Sequence, residues 1–365
     1  MEKIDLKFLN AVNIVASAKI DALQNIYEKF DGDFERAWRS NLNKFLPKDI
    51  DITGKPIIVD YEKIKNGINP EKEFEILQKE NIRIITILDK NYPKLLKEIA
   101  RPPFLLYVRG NPEVLSSDCF AVVGTRAITD YGKIATPKIS KEIALAGFTI
   151  VSGLASGIDT LAHKASLDAK KPTVAVLGCG LSERVFFPPQ NKRLAEEIIK
   201  SGGAVITEYG YNARGTQFSF PQRNRIISGL SKGILVVEAD IQSGALITAK
   251  YALEQNRDVF AVPGSIFSKM SEGANMYIKK GAKLVTSAED ILTEYGISYN
   301  DTRQPIIPAN EIEAKILEII SAEPVHMDEI IRQSGYDTAT IQANVVIMEM
   351  SDKIKNIGGG RYVII

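Results

Sequence analysis

From Cys119 onward the chain repeats one pattern, a short apolar β-rich run followed by a segment with helical spacing. The runs are CFAVV, FTIVS, TVAVL, AVITE, ILVVE, VFAVP and KLVTS. Strands that are apolar at nearly every position, instead of at alternate ones, must be buried on both faces. A parallel sheet with helices on each side does this. Five of the runs lead into glycine, at Gly124, Gly153, Gly178, Gly210 and Gly264. In open parallel sheets a ligand lies beyond the carboxyl ends of the strands, where glycine lets backbone and ligand approach closely. Pro137 falls inside the first helical segment and is expected to kink it or delay its start.

The flanks differ from this middle. Residues 1–80 place Leu6, Leu9, Val12, Ile20, Leu23, Ile26, Phe34 and Trp38 at helical spacing, which predicts a small helical bundle. Residues 81–295 hold the alternating region and open with two short apolar strands, IRIITIL and FLLYVRG. The polar, proline-containing stretch 296–308 reads as a linker. Residues 309–365 predict helices over 311–321, 326–333 and 338–350 followed by a glycine-tipped hairpin, a winged-helix pattern.

An apolar fraction of 45% is that of an ordinary globular protein. No stretch approaches the roughly 18 apolar residues of a membrane helix, and the N-terminus lacks a secretion signal, so a cytoplasmic protein with no membrane partner is expected. Cys119 and Cys179 are isolated and read as core thiols; no metal site is expected. Charge is uneven. Residues 121–290 carry 21 basic against 15 acidic side chains, and residues 291–365 carry 6 against 11. A polyanion would therefore meet the middle of the chain and not its acidic tail.

Three motifs bear on that polyanion. RNRIISGLS places Arg223 and Arg225 at an apparent helix start, where free N–H groups and the dipole repel cations unless an anion sits between them. Guanidinium forks suit phosphate. The nearby Phe218 and Phe220 read equally as core residues or as rings that stack on bases. GTRAITDYG offers backbone N–H groups, a hydroxyl and the Arg126 guanidinium at the first strand-to-helix turn; it lacks the second and third glycines of a dinucleotide fingerprint. In VSGLASGIDTLAH, Asp159 is expected to cap its helix and to hold His163 four positions on, which needs no chemistry. FPPQNKRL adds Lys192 and Arg193, and Ser243, Gly244 and Ala245 of VVEADIQSGALITA serve either tight packing or a pocket.

In this order and spacing GTR, VSGLASGID with AH, AVLGCGL, the FP and N pair, FPQRNRIISGLS, VVEADIQSGALITA and VFAVPG resemble the DprA (Smf) family of DNA-processing proteins, densely over residues 81–290. The resemblance implies an α/β fold: an extended Rossmann-like parallel sheet with an N-terminal helical (SAM-like) bundle and a C-terminal winged helix. It implies a non-catalytic, cofactor-free binder of single-stranded DNA that forms a homodimer through the Rossmann-like domain and helps load the recombinase RecA in natural transformation. Matched residue by residue, it implies DNA contacts at Gly124, Thr125, Arg126, Ser152, Gly153, Ser156, Gly157, Lys192, Phe220, Arg223, Asn224 and Arg225. Two departures qualify it. Ser17-Ala18 replaces a phosphate-holding glycine hairpin in the bundle, and the winged helix has no basic recognition helix, which points it toward protein contact or regulation. The competing reading is a nucleotide N-glycoside hydrolase, in which SGALIT and Glu254 stand where such enzymes carry PGGxGT and a glutamate.

Overall fold

The computed structural model describes residues 4–46, 49–50, 56–57, 59–297, 307–320, 324–351 and 353–364. They form two compact units, 1–298 and 299–365. The first opens with α1 (Leu6–Ala16), α2 (Ala22–Lys29), α3 (Phe34–Arg39), a small antiparallel pair β1 (Asp49–Ile50) and β2 (Pro56–Ile57), α4 (Tyr61–Lys65) and α5 (Pro70–Lys79). Short polar side chains start most of these helices: Asp5, Asp33, Asp60 and Asn69 each accept a backbone N–H two or three residues on.

A nine-stranded sheet follows. Its strands are β3 (Ile82–Thr86), β4 (Leu105–Gly110), β5 (Cys119–Val123), β6 (Thr149–Ser152), β7 (Thr173–Val176), β8 (Ala204–Thr207), β9 (Gly233–Val236), β10 (Asp258–Ala261) and β11 (Lys283–Leu284). The helices between them are α6 (Lys94–Lys97), α7 (Asp130–Leu145), α8 (Ile158–Asp168), α9 (Lys192–Lys200), α10 (Ser219–Leu230), α11 (Gly244–Glu254) and α12 (Lys269–Lys279), with α13 (Ala288–Leu292) after the last strand. The spatial order is β11-β10-β9-β5-β6-β7-β8-β4-β3. β5 through β11 pair in parallel, as the continuous apolar runs require. At one edge the sheet is extended by the two strands that precede Cys119, where β4 runs antiparallel to β8 and to β3. An antiparallel pair needs no crossover helix of full length, and only the four residues of α6 lie in that connection. The chain winds outward from β5 in both directions, so β5 and β9 flank the point where strand order reverses.

The bundle and the sheet share one core. Leu9, Val12, Ile26 and Phe34 pack in the same apolar cluster as Leu105, Ala175 and Val205. The buried Tyr107 hydroxyl of β4 donates to Asn10 Oδ1 at 2.7 Å and accepts from Asn13 Nδ2 at 3.1 Å. The change of sequence pattern near residue 80 is thus not a break between two cores. α7 begins at Asp130, capped by Thr129, and continues through Pro137, so its start is not delayed. Cys119 and Cys179 are buried free thiols, and burial pushes Cys119 up to about 12. Among the described residues no helix is long and apolar enough to cross a membrane.

The second unit contains α14 (Glu311–Ile319), β12 (Val325–His326), α15 (Met327–Ser334), α16 (Thr338–Met350), β13 (Ile354–Asn356) and β14 (Arg361–Ile364), with strand order β12-β14-β13. Ile316, Ile330, Ile341, Val345, Met348 and Ile354 form its core. Gly358, Gly359 and Gly360 all have positive φ, which is why the hairpin tip carries glycine. Most of the expected linker, residues 298–306, lies outside the described residues.

Candidate nucleic-acid interface

Two cavities open at the carboxyl ends of the parallel strands, and they share a wall. The larger, about 510 Å³, lies at the strand-order reversal. It is bounded by Gly124–Ala127 after β5, by Asp240 and Ser243–Ala245 between β9 and α11, and by Phe220, Asn224 and Ile227 of α10. The smaller, about 330 Å³, is bounded by Gly153, Ala155 and Ser156 after β6 and by Phe187–Gln190 ahead of α9. Arg126, Ala155, Phe220 and Arg223 line both.

Backbone hydrogen bonds fix the turns. Thr125 N donates to Glu238 O at 2.7 Å, and Ile158 N donates to Thr125 O at 3.2 Å. A Cβ at Gly124 would sit 2.9 Å from Glu238 O, and one at Gly157, where φ is +84°, would run into Thr125 O. Glycine is required at both. The buried Glu238 carboxylate accepts from Thr129 N at 3.1 Å and Thr129 Oγ1 at 2.5 Å, securing the start of α7. Ser243 caps α11 through Ala245 N while also lining the larger cavity, so packing and pocket lining coincide there.

Arg126 is exposed and has no ion pair among the described residues. Arg223 is 5% exposed. Its Nη1 donates to Gly153 O at 2.8 Å and to Val176 O, and its Nε donates to Asn224 Oδ1 at 3.1 Å. These acceptors are neutral, so Arg223 is oriented without being neutralised at its contacts. The guanidinium lies against Gly153, where a Cβ would come within 2.6 Å of Nη2. Asn224 donates onward to Gly244 O at 3.2 Å, tying α10 to the α11 turn. Burial pulls the Arg223 pKa below its ordinary value, opposed by the nearby Asp159.

Asp159 does not hold His163. It accepts from Gly153 N at 3.1 Å and Ala155 N at 3.3 Å, stapling the glycine loop that precedes its own helix. Burial raises its pKa and Arg223 opposes the rise. His163 Nδ1 instead meets Thr173 Oγ1 at 2.8 Å. That hydroxyl donates to Ile150 O, so the histidine Nδ1 carries the proton. Burial, and Arg223 beyond it, pull His163 down to about 3, leaving a neutral packed ring. An acid-base pair at these positions is absent.

Residues 83–296 match the family model of DNA recombination-mediator protein A, and residues 300–360 match the DprA winged helix domain. The chain belongs to the family of DNA recombination-mediator protein A. It is 46% identical to the DNA processing protein DprA of Streptococcus pneumoniae over 210 residues, 58% of this chain and 73% of that one. It is 36% identical to Protein Smf of Synechocystis sp. over 337 residues, 82% of this chain and 84% of that one. The crystal structure of the pneumococcal DprA superposes with a TM-score of 0.63 at 36% identity, covering 82% of this chain and all of that chain. A Helicobacter pylori DNA processing protein A, whose structure concerns its single-stranded DNA binding mode, superposes with a TM-score of 0.53 at 28% identity, covering 60% of this chain and 99% of that one.

In this family member the expected contacts divide. Gly124, Thr125, Arg126, Gly153, Ser156, Phe220, Arg223 and Asn224 line one or both cavities. Phe220 is half-buried and packs on the exposed Phe187 ring at 5.4 Å, so it is a cavity wall and not a core ring. Gly157 shapes the turn. The Ser152 hydroxyl is buried, donates to Val122 O at 2.7 Å and lines neither cavity. Lys192 is the first residue of α9 and lines neither cavity.

The helix-start reading of Arg223 and Arg225 requires correction. α10 begins at Ser219, so both arginines lie in its second turn, away from the free N–H groups. Arg225 faces the bundle. Its Nη2 donates to Glu208 Oε2 at 2.6 Å, with both side chains 6% exposed. A buried, paired guanidinium is not a phosphate ligand, and Arg225 leaves the candidate set. Sequence reasoning missed Phe187, Gln190 and Asp240; a ring beside a helix-opening proline pair was the one signal available for Phe187.

Proposed function

We propose that this protein binds single-stranded DNA along the carboxyl-end rim of its sheet, performs no chemistry on it, and delivers it to the recombinase RecA during natural transformation in the cytoplasm. The shared wall carries the reading. Arg126, with no ion pair among the described residues, and Arg223, held by neutral acceptors, stand between two cavities together with the Phe220 ring. Cavities of this size accept a base, and two cations between them accept the linking phosphate. Only a strand with unstacked bases fits such a path. The single-stranded DNA binding mode of the Helicobacter pylori relative supports the same ligand class.

A homodimer is supported by large apolar side chains left exposed, Leu284 on the edge strand β11 and Leu253 on α11. Two observations weigh against the hydrolase alternative. Glu254 ends α11 ten residues after Gly244, about 15 Å along the helix axis, and it pairs with Lys250.

The test compares single-stranded with duplex oligonucleotides of several sequences in a salt titration, alongside RecA filament formation on strands preloaded with this protein. Preference for the single strand, little dependence on base sequence, steep salt dependence and faster filament formation are expected. Equal affinity for duplex, or release of free base, would overturn the proposal.

A further inference from the structure

The most exposed aromatic ring among the described residues belongs to Phe267, at 93%, beside Ile266 at 83%. They form the tip of the turn between β10 and α12, on the same carboxyl-end rim as the two cavities. The turn is rigid. Asn275 grips both faces of Gly264, accepting from its N at 3.2 Å and donating to its O at 2.9 Å. Ser265 accepts the N–H groups of Phe267, at its Oγ, and of Ser268, at its carbonyl. The braced turn holds an adjacent ring and aliphatic side chain out in water together.

Hydrogen bonds join the tip's flank to the wall of the larger cavity. Met270, three residues on, receives the Thr125 hydroxyl on its sulfur at 3.5 Å and accepts Ala239 N on its carbonyl at 2.7 Å. Thr125 lines that cavity. Tyr131 lies on the same side, its hydroxyl donating to Pro263 O at 2.9 Å and its ring 46% exposed. Lys269, next to the tip, is exposed and has no ion pair among the described residues. Exposed rings beside an unneutralised cation are what bases and a phosphate of a flexible strand require.

We infer that the Ile266–Phe267 tip, with Lys269, is a separate base-stacking station that extends the strand's path beyond the two cavities. This rests on the strand-binding reading. Because the tip lies outside both cavities, a strand reaches it only when longer than the segment the cavities hold.

The experiment measures affinity for a long oligothymidylate and for one of about four nucleotides, in the parent, Phe267→Ala, Phe267→Trp and Arg126→Ala. Phe267→Ala is expected to weaken the long strand about fivefold or more, the usual effect of losing one stacked base, and to leave the short one unchanged. Phe267→Trp is expected to restore affinity and to show indole quenching when the long strand binds. Parent-like affinity of Phe267→Ala for the long strand would overturn the inference. So would an equal loss on both lengths, or a change in sedimentation with unchanged DNA affinity, which would make the tip a protein contact. If Arg126→Ala binds both lengths as the parent does, the strand-binding reading itself fails.

Discussion

Replacing Arg126 with alanine separates a phosphate contact from a structural role, because the side chain is exposed and makes no ion pair in the described fold. Global stability should stay within about 0.5 kcal/mol of the parent, as for surface substitutions generally. Affinity should fall in a salt-dependent way. Each phosphate neutralised on a single strand contributes about −0.7 to the slope of log K against log salt, from counterion release. Losing one contact makes the slope shallower by about that amount, so the deficit of the variant shrinks about fivefold for every tenfold rise in salt. Fluorescence anisotropy with a labelled oligothymidylate, titrated at four or more salt concentrations, reads this directly. A deficit that stays constant with salt would mean that Arg126 acts by shaping the turn. No deficit at low salt would remove it from the interface and with it the shared-wall argument.

Arg225→Ala should behave differently: it strands the buried Glu208 carboxylate and should lower unfolding free energy by about 3–5 kcal/mol in denaturant titrations, with any DNA defect following the loss of folded protein. Gly153→Ala pushes a methyl against the Arg223 guanidinium, and binding should weaken about tenfold, the value of one charge-assisted hydrogen bond, while circular dichroism stays native. For His163 the sign follows from its depressed value. Below the ordinary 6.5 the unfolded chain takes up a proton that the folded one refuses until about 3, so this group removes stability as pH falls through that window. His163→Asn should flatten that part of the stability profile relative to the parent; an unchanged profile would refute the neutral buried ring.

What could be read from the chain follows from how local each cause is. The parallel strands were legible because burial on both faces leaves CFAVV or ILVV with no polar position. The glycine turns were legible because Gly124 and Gly157 answer to backbone contacts that exclude any side chain. The start of α10 was not, since Phe218 occupies its N-cap and offers no side-chain acceptor, the Ser219 N–H being taken instead by Thr216 Oγ1. Arg225 was misassigned for a related reason. Its partner Glu208 lies 17 residues earlier, and only the sheet brings the two together. The antiparallel edge was equally silent, because apolar composition does not set strand direction, which here follows from what connects β3, β4 and β8.

α10 explains why two arginines so close in sequence part company. Residues two apart on a helix point about 200° around the axis from one another, so Arg223 and Arg225 cannot serve the same surface. Arg223 reaches the rim through Gly153 O, and Arg225 reaches the bundle side through Glu208. Gln222 extends the second face, donating to Ala18 O at 2.9 Å and approaching Glu208 Oε1 at 3.4 Å. One rigid helix therefore carries a cavity wall on one side and the seat of the N-terminal bundle on the other. The bundle, though it lacks a phosphate-holding glycine hairpin of its own, meets α10 at Gln222 through Ala18 O, on a face other than that of Arg223.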